Sequence, residues 1–598
     1  MKKNIIIVES PGKVQSIQKY LGDQYIVCAS NGQIVNLAKG GRYGIGVNPI
    51  DHFKAFYTLM PDKVYFLDKI ISNVDNIEKI FICTDPDTEG HGIAWHIAEK
   101  LKHLNKPIFR AEFHEITQEG VVAGLNQFSE IDLNKFKAQE TRRILDRLVG
   151  FMVSPFLINA YGANLSAGRV QSVATRMVVE LEQEINKFEP QEYWNINVNL
   201  TKDKQSFIAK YQGKVKSKDA AELIKLDIEQ PNIANSLFEV VSVSKKPKKE
   251  NSDAPLTTAK MQQVMASKYG FEGEQTMAAA QSLYEAGHCT YIRTDSVRAS
   301  DAALTNVREW LVNNKFEIPA KPNTFKNKDA SQNAHECIRP TILHNVPDKM
   351  HLSGDMGLLY KTIWSYFVSS QMCPAVYDTL EAKIIHTLLD KHQFKLTGKL
   401  LVSPGYLSLL EGKTVSEEKF PTINTKDLLH LLDDKSISLE QKFTQPPARY
   451  NYSSLIKELE SKGIGRPSTY TEIISKITSR HYVEKQGNTY HGTKLGDHIT
   501  TILTKYFDFM EYDYTAELEK QMDDISEGKL NNLTVLTDFY LRFQNKLKEA
   551  HLAHHGKMCD QCSAPMYLKN GKNDTKFWGC SLYPFCNFSA PVELKNCA

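Results

Sequence analysis

A multidomain chain that opens with an α/β unit built on a parallel sheet and ends in a small cysteine-bound module is what this sequence predicts. Three observations lead there. Two apolar runs of strand length, "NIIIV" (4–8) and "KIFICT" (79–84), each run into a polar turn followed by helix-patterned chain, the alternation of a βαβ fold. The chain has 598 residues, well past the roughly 250–300 at which a single core stops growing. Of its ten cysteines, Cys559, Cys562, Cys580, Cys586 and Cys597 crowd the C-terminal end.

The first strand ends in Glu9-Ser10-Pro11-Gly12-Lys13, and "VQSIQKYLG" follows with Val14, Ile17 and Leu21 at helical spacing and Gly22 as C-cap. The second ends in "TDPDTEG" (84–90), and a helix over "GIAWHIAEKLKHL" comes next. In a parallel sheet, ligands gather beyond the carboxyl ends of the strands. In extended chain, alternate residues face one side, which brings Asp85, Asp87 and Glu89 together with Glu9 beside them. So many carboxylates raise one another's pKa unless a hard cation relieves them, and Mg2+ takes carboxylate oxygens, water and phosphate. Lys13, at a helix N-terminus, suits a phosphate. A solvated acidic turn is the bland alternative for the three acids alone; Glu9 and Lys13 tip the reading to a site. "GYLSLLEGKT" (405–414) is no phosphate loop, because six residues separate its glycines where four are required, so no ATP site is expected.

Composition narrows the class. With 41% hydrophobic and 24% charged residues the chain is of ordinary globular type, and its net charge of +3 requires any basic footprint to be local. No apolar run approaches the ~18 residues of a membrane span and no export signal is evident, so a cytoplasmic protein is expected. Cys28, Cys83, Cys289, Cys337 and Cys373 are scattered thiols. The terminal group reads C-x2-C-x17-C-x5-C, from Cys559, Cys562, Cys580 and Cys586, a zinc-ribbon pattern with a wide second gap. His551, His554 and His555 lie just upstream as substitute ligands, and Cys597 is left over. Phe577, Trp578, Tyr583 and Phe585 interleave with Lys569, Lys572 and Lys576, a mix suited to stacking on single strands.

"VESPGK" (8–13) followed by "TDPDTEG" resembles the Toprim domain of type IA DNA topoisomerases. The resemblance continues in family order through "TRRILDRLVGFMVSP" (141–155), "LSAGRVQSVA" (165–174), "YIRTDS" (291–296), "SQNAHECIRPT" (331–341), "GIGRPSTY" (463–470) and "YDYTAELEKQMDDISEG" (512–528). Several positions depart from the family pattern: Thr88 for Arg, His91 for Glu, Gln33 for His, His114 for Asn, and Tyr452 at a usually acidic place. They bear on metal affinity and pH optimum.

The resemblance implies a torus: a Toprim domain (1–130), a split helical DNA-binding domain (131–190 and 445–550), a split β-rich arch (191–255 and 375–444), a helical gate domain (256–374) and a zinc module (555–598). It implies Tyr291 as the nucleophile that leaves a 5′-phosphotyrosine, Arg293 as its charge partner, Glu9 as general acid and Lys13 on the scissile phosphate. Mg2+ would sit at Glu9, Asp85, Asp87 and Glu89, and Zn2+ at the four cysteines. His335 and Arg339, at i and i+4 of an expected helix, would face the same DNA strand. A groove for single-stranded DNA would use Gln33, Arg142, Arg143, Asp146, Phe151, Ser166, Ala167, Gly168, Arg169, Val170, Gln171, Arg466, Ser468 and Thr469, with Ile158 where many relatives stack a Trp. The implied activity is ATP-independent relaxation of negatively supercoiled DNA by a monomer through single-strand passage. Two rivals remain, a topoisomerase III-like decatenase, whose tyrosine motif is more often Tyr-Pro-Arg, and a non-enzymatic DNA-binding relic.

Overall fold

The computed structural model describes residues 3–40, 44–161, 165–229, 237–327, 335–410, 422–433, 435–554, 556–571 and 575–592. The N-terminal unit is a four-stranded, all-parallel sheet in the order Tyr25–Ala29, Lys3–Val8, Ile77–Cys83, Ile108–Arg110. Ile5, Ile6, Ile7 and Val8 are all buried, as a strand covered on both faces requires. Val8 pairs with Cys83, so Glu9 and Asp85 leave adjacent strands at the same end of the sheet.

The helix after the second strand begins earlier than periodicity suggests, at Thr88. Asp87 is its N-cap and accepts a hydrogen bond from the Gly90 amide at 2.8 Å. A short acidic side chain before a run of helix formers is a strong start signal, and it overrides the extended geometry expected through Glu89.

Leu133–Tyr161 is a 29-residue helix that continues through Pro155. It is the one helix among the described residues long and apolar enough to cross a bilayer, but Ile144, Leu145, Leu148, Met152 and Phe156 pack against Leu503, Phe507 and Phe539 in a protein core. The apolar-run reading of the sequence missed it because arginines interrupt its first half.

The segments Glu192–Glu250 and Ala375–Phe443 build a seven-stranded antiparallel sheet. Its pairings close on themselves, because Gln205–Tyr211 bonds to both Glu192–Lys202 and Leu389–Ser403. The expected strands "YWNINVNL" and "LFEVVSVS" are both in it, and "KKPKKE" is an exposed stretch of the second. Between these segments lie the helices Thr258–Tyr269, Gly273–Glu285, Asp301–Asn313 and Gly354–Ser370. They share one core with the parallel-sheet unit: Ile6, Ile17, Phe113 and Ile116 pack in the same cluster as Leu283, Tyr284 and Tyr291.

The C-terminal module is a four-stranded antiparallel sheet, Lys557–Met558, Pro565–Asn570, Lys576–Cys580 and Ser589–Pro591. It is docked. Tyr567 donates to the Met152 carbonyl at 3.1 Å, and Phe585 stacks on Phe56 with ring centroids 5.6 Å apart.

Candidate active site and nucleic-acid groove

Tyr291 is reached by the chain just after the helix Gly273–Glu285, in a segment without regular structure whose amide bonds to the His114 carbonyl at 2.8 Å. That bond crosses from the helical unit to the parallel-sheet unit. It delivers the phenol to the carboxyl ends of the strands, where its hydroxyl donates to Asp87 Oδ2 at 2.6 Å. Arg293 donates to the same oxygen at 3.1 Å. Lys13, almost fully buried, pairs with Asp85. One phenol, two cations and three carboxylates, drawn from three segments far apart in sequence, thus meet in one place.

The electrostatics follow from burial. The Glu9 carboxyl is pushed up to about 8, first by desolvation and then by Asp85 and Asp87, with Lys13 and Arg293 opposing. Its Oε2 is buried without a hydrogen-bond partner, as suits a protonated acid awaiting an acceptor. Burial works against Asp87 too, but Arg293 and the hydrogen bonds from Tyr291 and Gly90 hold its carboxyl below the ordinary range. Burial, then Asp87 and Asp85, raise the Tyr291 phenol well above its usual value, so it rests protonated.

Glu89 does not join the other acids. The helix that starts at Thr88 carries it to the exposed first turn, where it accepts from Gln33 at 2.6 Å. His335 and Arg339 are not on a helix. Their segment is extended, with bridges from Ile338 to Leu256 and from Pro340 to Cys289. His335 lies edge-on to the Tyr291 ring, 6.5 Å between centroids, while Arg339 is held by Glu336 and Glu115. The flanking Pro340 and the β-bridges defeat the helical spacing.

A groove of about 630 Å³ runs along the long helix, lined by Arg142, Arg143, Asp146, Phe151, Ser166, Ala167, Gly168, Arg169, Val170, Gln171 and Thr469 among others. A smaller pocket shares Arg142 with it and is lined also by Asp87, Arg293, His335, Arg466 and Ser468, so the groove adjoins the Asp87 and Arg293 that flank Tyr291. Gln33 and Ile158 line neither, although Ile158 is exposed. Arg169 is fully buried and spent on Asp146 and Glu519, at 3.2 and 2.6 Å. Arg147, half of a cation–π pair with Phe151 at 4.6 Å, donates to the carbonyls of Leu37, Ala38 and Ile45. Both are structural cations, which leaves Lys39, Arg142, Arg143, Lys476 and Arg480 as the cations lining the groove.

The comparisons agree with this geometry. Residues 130–537 match the "DNA topoisomerase" family model, residues 4–116 the "Toprim domain" model and residues 556–595 the "Topoisomerase DNA binding C4 zinc finger" model. This chain belongs to the type IA DNA topoisomerases. It is 34% identical to DNA topoisomerase 1 of Vibrio cholerae, over 98% of this chain and 72% of that protein. It is likewise 34% identical to DNA topoisomerase 1 of Pseudomonas aeruginosa, with the same coverage. Full-length topoisomerase I from Thermotoga maritima superposes with a TM-score of 0.81 at 31% identity, covering 99% of this chain and 98% of that one. The toroidal fold expected from the sequence is therefore this topoisomerase's fold.

Both metals suit the residues present. The sulfurs of Cys559, Cys562, Cys580 and Cys586 lie within 4.8 Å of one another, with Cys559–Cys586 at 3.6 Å and Cys562–Cys580 at 3.5 Å. A tetrahedron with Zn–S of ~2.3 Å has edges of about 3.8 Å, so this topoisomerase's ribbon is built for Zn2+. The histidines weighed as substitutes are occupied elsewhere: His551 on the Met566 carbonyl and His554 on Tyr161. His555, Lys572 and Cys597 lie outside the described residues. For Mg2+ the Toprim acids offer the all-oxygen donor set the ion takes, with Glu9 Oε2 unpartnered.

Two more of the departures from the family pattern, besides Gln33, have polar partners. His91 faces Glu112 at 3.4 Å, and Arg110 and Lys135 approach the same carboxylate. Tyr452 is buried, its hydroxyl on Gln262 at 2.7 Å. Sequence reasoning missed Glu519, whose fully buried carboxylate meets Arg142, Arg169 and Arg466 at 2.7, 2.6 and 3.7 Å. It also missed Arg110, which ties the carbonyls of Thr84 and Asp85 in place at 2.8 Å each. An acid inside "TAELEKQMDD" and an arginine ending a strand are the only traces either leaves in the sequence.

Proposed function

We propose that this topoisomerase relaxes negatively supercoiled DNA by cutting one strand at Tyr291, and that the residues named above divide the work as follows. A single strand enters the groove on Arg143, Lys39 and Phe151 and passes Arg142 and Arg466, its phosphates taken by the cations and its bases by the ring. Lys13 and Arg293 hold the scissile phosphate, and His335 and Arg339 steady the strand beside it. Tyr291 Oη bonds to phosphorus as the P–O3′ bond breaks. The phenolic proton passes along its hydrogen bond to Asp87, and Glu9 gives its proton to the departing 3′ oxygen. The diester is conserved as a 5′-phosphotyrosine, so the same steps reversed reseal the strand without ATP. Glu9, Asp85, Asp87 and Glu89 would hold Mg2+, which when bound would supply charge neutralisation at the phosphodiester.

The single observation that carries this reading is the 2.6 Å hydrogen bond from Tyr291 to Asp87, on an oxygen that Arg293 also holds. Division of the chain into the five domains set out above, with residues 256–374 swinging as the gate, belongs to the same proposal. So do action as a monomer on single-stranded segments and residence in the cytoplasm on the nucleoid, which the bacterial relatives support.

The test is relaxation of negatively supercoiled plasmid with Mg2+ and no ATP, wild type against Tyr291→Phe. Wild type should relax the plasmid and leave protein on the 5′ ends when quenched with denaturant, and the variant should do neither. A covalent complex formed by Tyr291→Phe would refute the assignment.

A further inference from the structure

One side chain ties the gate to both ends of the reaction, and none of the expected site residues is it. Tyr284 stands at the last turn of the helix Gly273–Glu285 and is 1% exposed. Its hydroxyl donates to the Phe113 carbonyl at 2.6 Å, across the boundary between the helical unit and the parallel-sheet unit. Its ring meets the Tyr291 ring edge to face, 5.3 Å between centroids. The Lys13 ammonium lies over the same ring, 4.7 Å from the centroid. Nucleophile, phosphate-binding lysine and gate contact are thus all set against one aromatic side chain.

The surroundings show how closely the two units meet there. A Cβ on Gly12 would fall 2.0 Å from the carboxylate of Glu285, the next residue along from Tyr284. A Cβ on Gly287 would fall 2.4 Å from the Ile116 carbonyl, and its φ of +74° is one that favours glycine. Around this contact Tyr291 donates its amide to His114 and Arg339 reaches Glu115 at 3.4 Å. The stretch Phe113–Ile116 is a continuous receptor for the gate.

We infer that Tyr284 is a positioning residue that latches the closed gate through its hydroxyl and aligns Tyr291 and Lys13 through its ring. Opening the gate after cleavage must break the Tyr284–Phe113 hydrogen bond, leaving a carbonyl that was paired in the protein interior, and closing it restores the bond before resealing. The ring works differently. Edge-to-face packing fixes the azimuth of the Tyr291 phenol, and the face of Tyr284 gives the Lys13 ammonium a second partner besides Asp85. The inference rests on the reading of Tyr291 as nucleophile, and the test separates the two.

Full-length wild type, Tyr284→Phe, Tyr284→Leu and Tyr291→Phe are compared on a single-stranded oligonucleotide for covalent complex at equilibrium, rate of cleavage and rate of resealing after addition of salt. Tyr284→Phe keeps the ring and loses only the latch. It should cleave at the wild-type rate while resealing slows and the covalent fraction rises, each by about fivefold to tenfold, the effect of one net buried hydrogen bond. Tyr284→Leu loses the ring as well, and its cleavage rate should fall at least about tenfold. A general loss of packing would instead lower cleavage in both variants in step with their melting temperatures. Wild-type resealing and covalent fraction in folded Tyr284→Phe would overturn the latch. Should Tyr284→Leu prove unstable, Tyr284→Phe alone still decides. Covalent complex in Tyr291→Phe would remove the nucleophile reading and this inference with it.

Discussion

If Glu9 is the acid that protonates the leaving 3′ oxygen, cleavage must follow its protonation. Burial and the neighbouring Asp85 and Asp87 move the carboxyl from 4.5 to about 8. At about 1.36 kcal/mol for each tenfold change, that favours the protonated form by about 5 kcal/mol relative to a solvated glutamate. The sign is that of a raised carboxyl: the acid is competent below its folded pKa and loses its proton above it. At pH 7 about 90% of the sites then carry the proton and at pH 9 about 10%, so single-turnover cleavage falls roughly tenfold over that interval. The assay is cleavage of an end-labelled oligonucleotide without added metal, because Mg2+ bound near Glu9 would itself lower the pKa. Glu9→Gln should be slow by at least about 100-fold and flat with pH, since the amide has no proton to give. A wild-type profile that is level from pH 6 to 9, or one whose fall persists in Glu9→Gln, would refute the assignment of the proton to this residue.

Two further outcomes follow, one from a group the sequence did not single out as a site and one from the docking of the ribbon it did. Although burial works against it, Arg142, Arg169 and Arg466 pull the Glu519 carboxyl from 4.5 down to about 2, which corresponds to about 3 kcal/mol of stability that is present above pH 4.5 and lost as pH falls towards 2. Glu519→Gln should forfeit about that much at pH 7, read as faster hydrogen exchange in the helix Tyr512–Ser526, and a loss below about 1 kcal/mol would show that the arginines are satisfied without it. Removal of zinc by chelation should undock the ribbon from Gly44 and Phe56, and the loop that holds Arg147 loosens with it. Single-stranded DNA affinity should fall about 2- to 30-fold and tryptic cleavage appear at Lys54; unchanged affinity and digestion would mean that the ribbon's dock does not depend on the metal.

The ribbon also shows where stacking residues read from sequence go astray. Phe585 was expected on a nucleic-acid base, but it is stacked on Phe56, and a Cβ on Gly44 would meet the Tyr583 carbonyl at 2.6 Å. Tyr583 is the aromatic of that set left exposed, with Lys569 over its ring at 5.4 Å. An aromatic side chain has the same pattern in sequence whether a base or another ring covers it.

What the sequence by itself determined is local and short in range. Apolar runs followed by Glu9 and by Asp85 made two strands of one parallel sheet, because β-branched and aromatic side chains in unbroken runs need burial on both faces. The four cysteine positions defined the ribbon, because thiolate spacing is set by turn geometry. Long motifs in order gave the family and, through it, Tyr291. Tertiary structure decided which charges are free. Arg169 read as a groove cation beside Arg142 and Arg143, and only packing shows that Asp146 and Glu519 consume it, as three backbone carbonyls consume Arg147. It also decided Glu89, turned away by a helix that Asp87 caps, and Tyr284, whose hydroxyl meets Phe113 and whose ring meets Lys13, both distant in the chain, besides the nearby Tyr291. A side chain's partner depends on what the fold brings within about 3 Å, and burial sets what leaving it unpaired costs. Neither quantity is present in the order of residues.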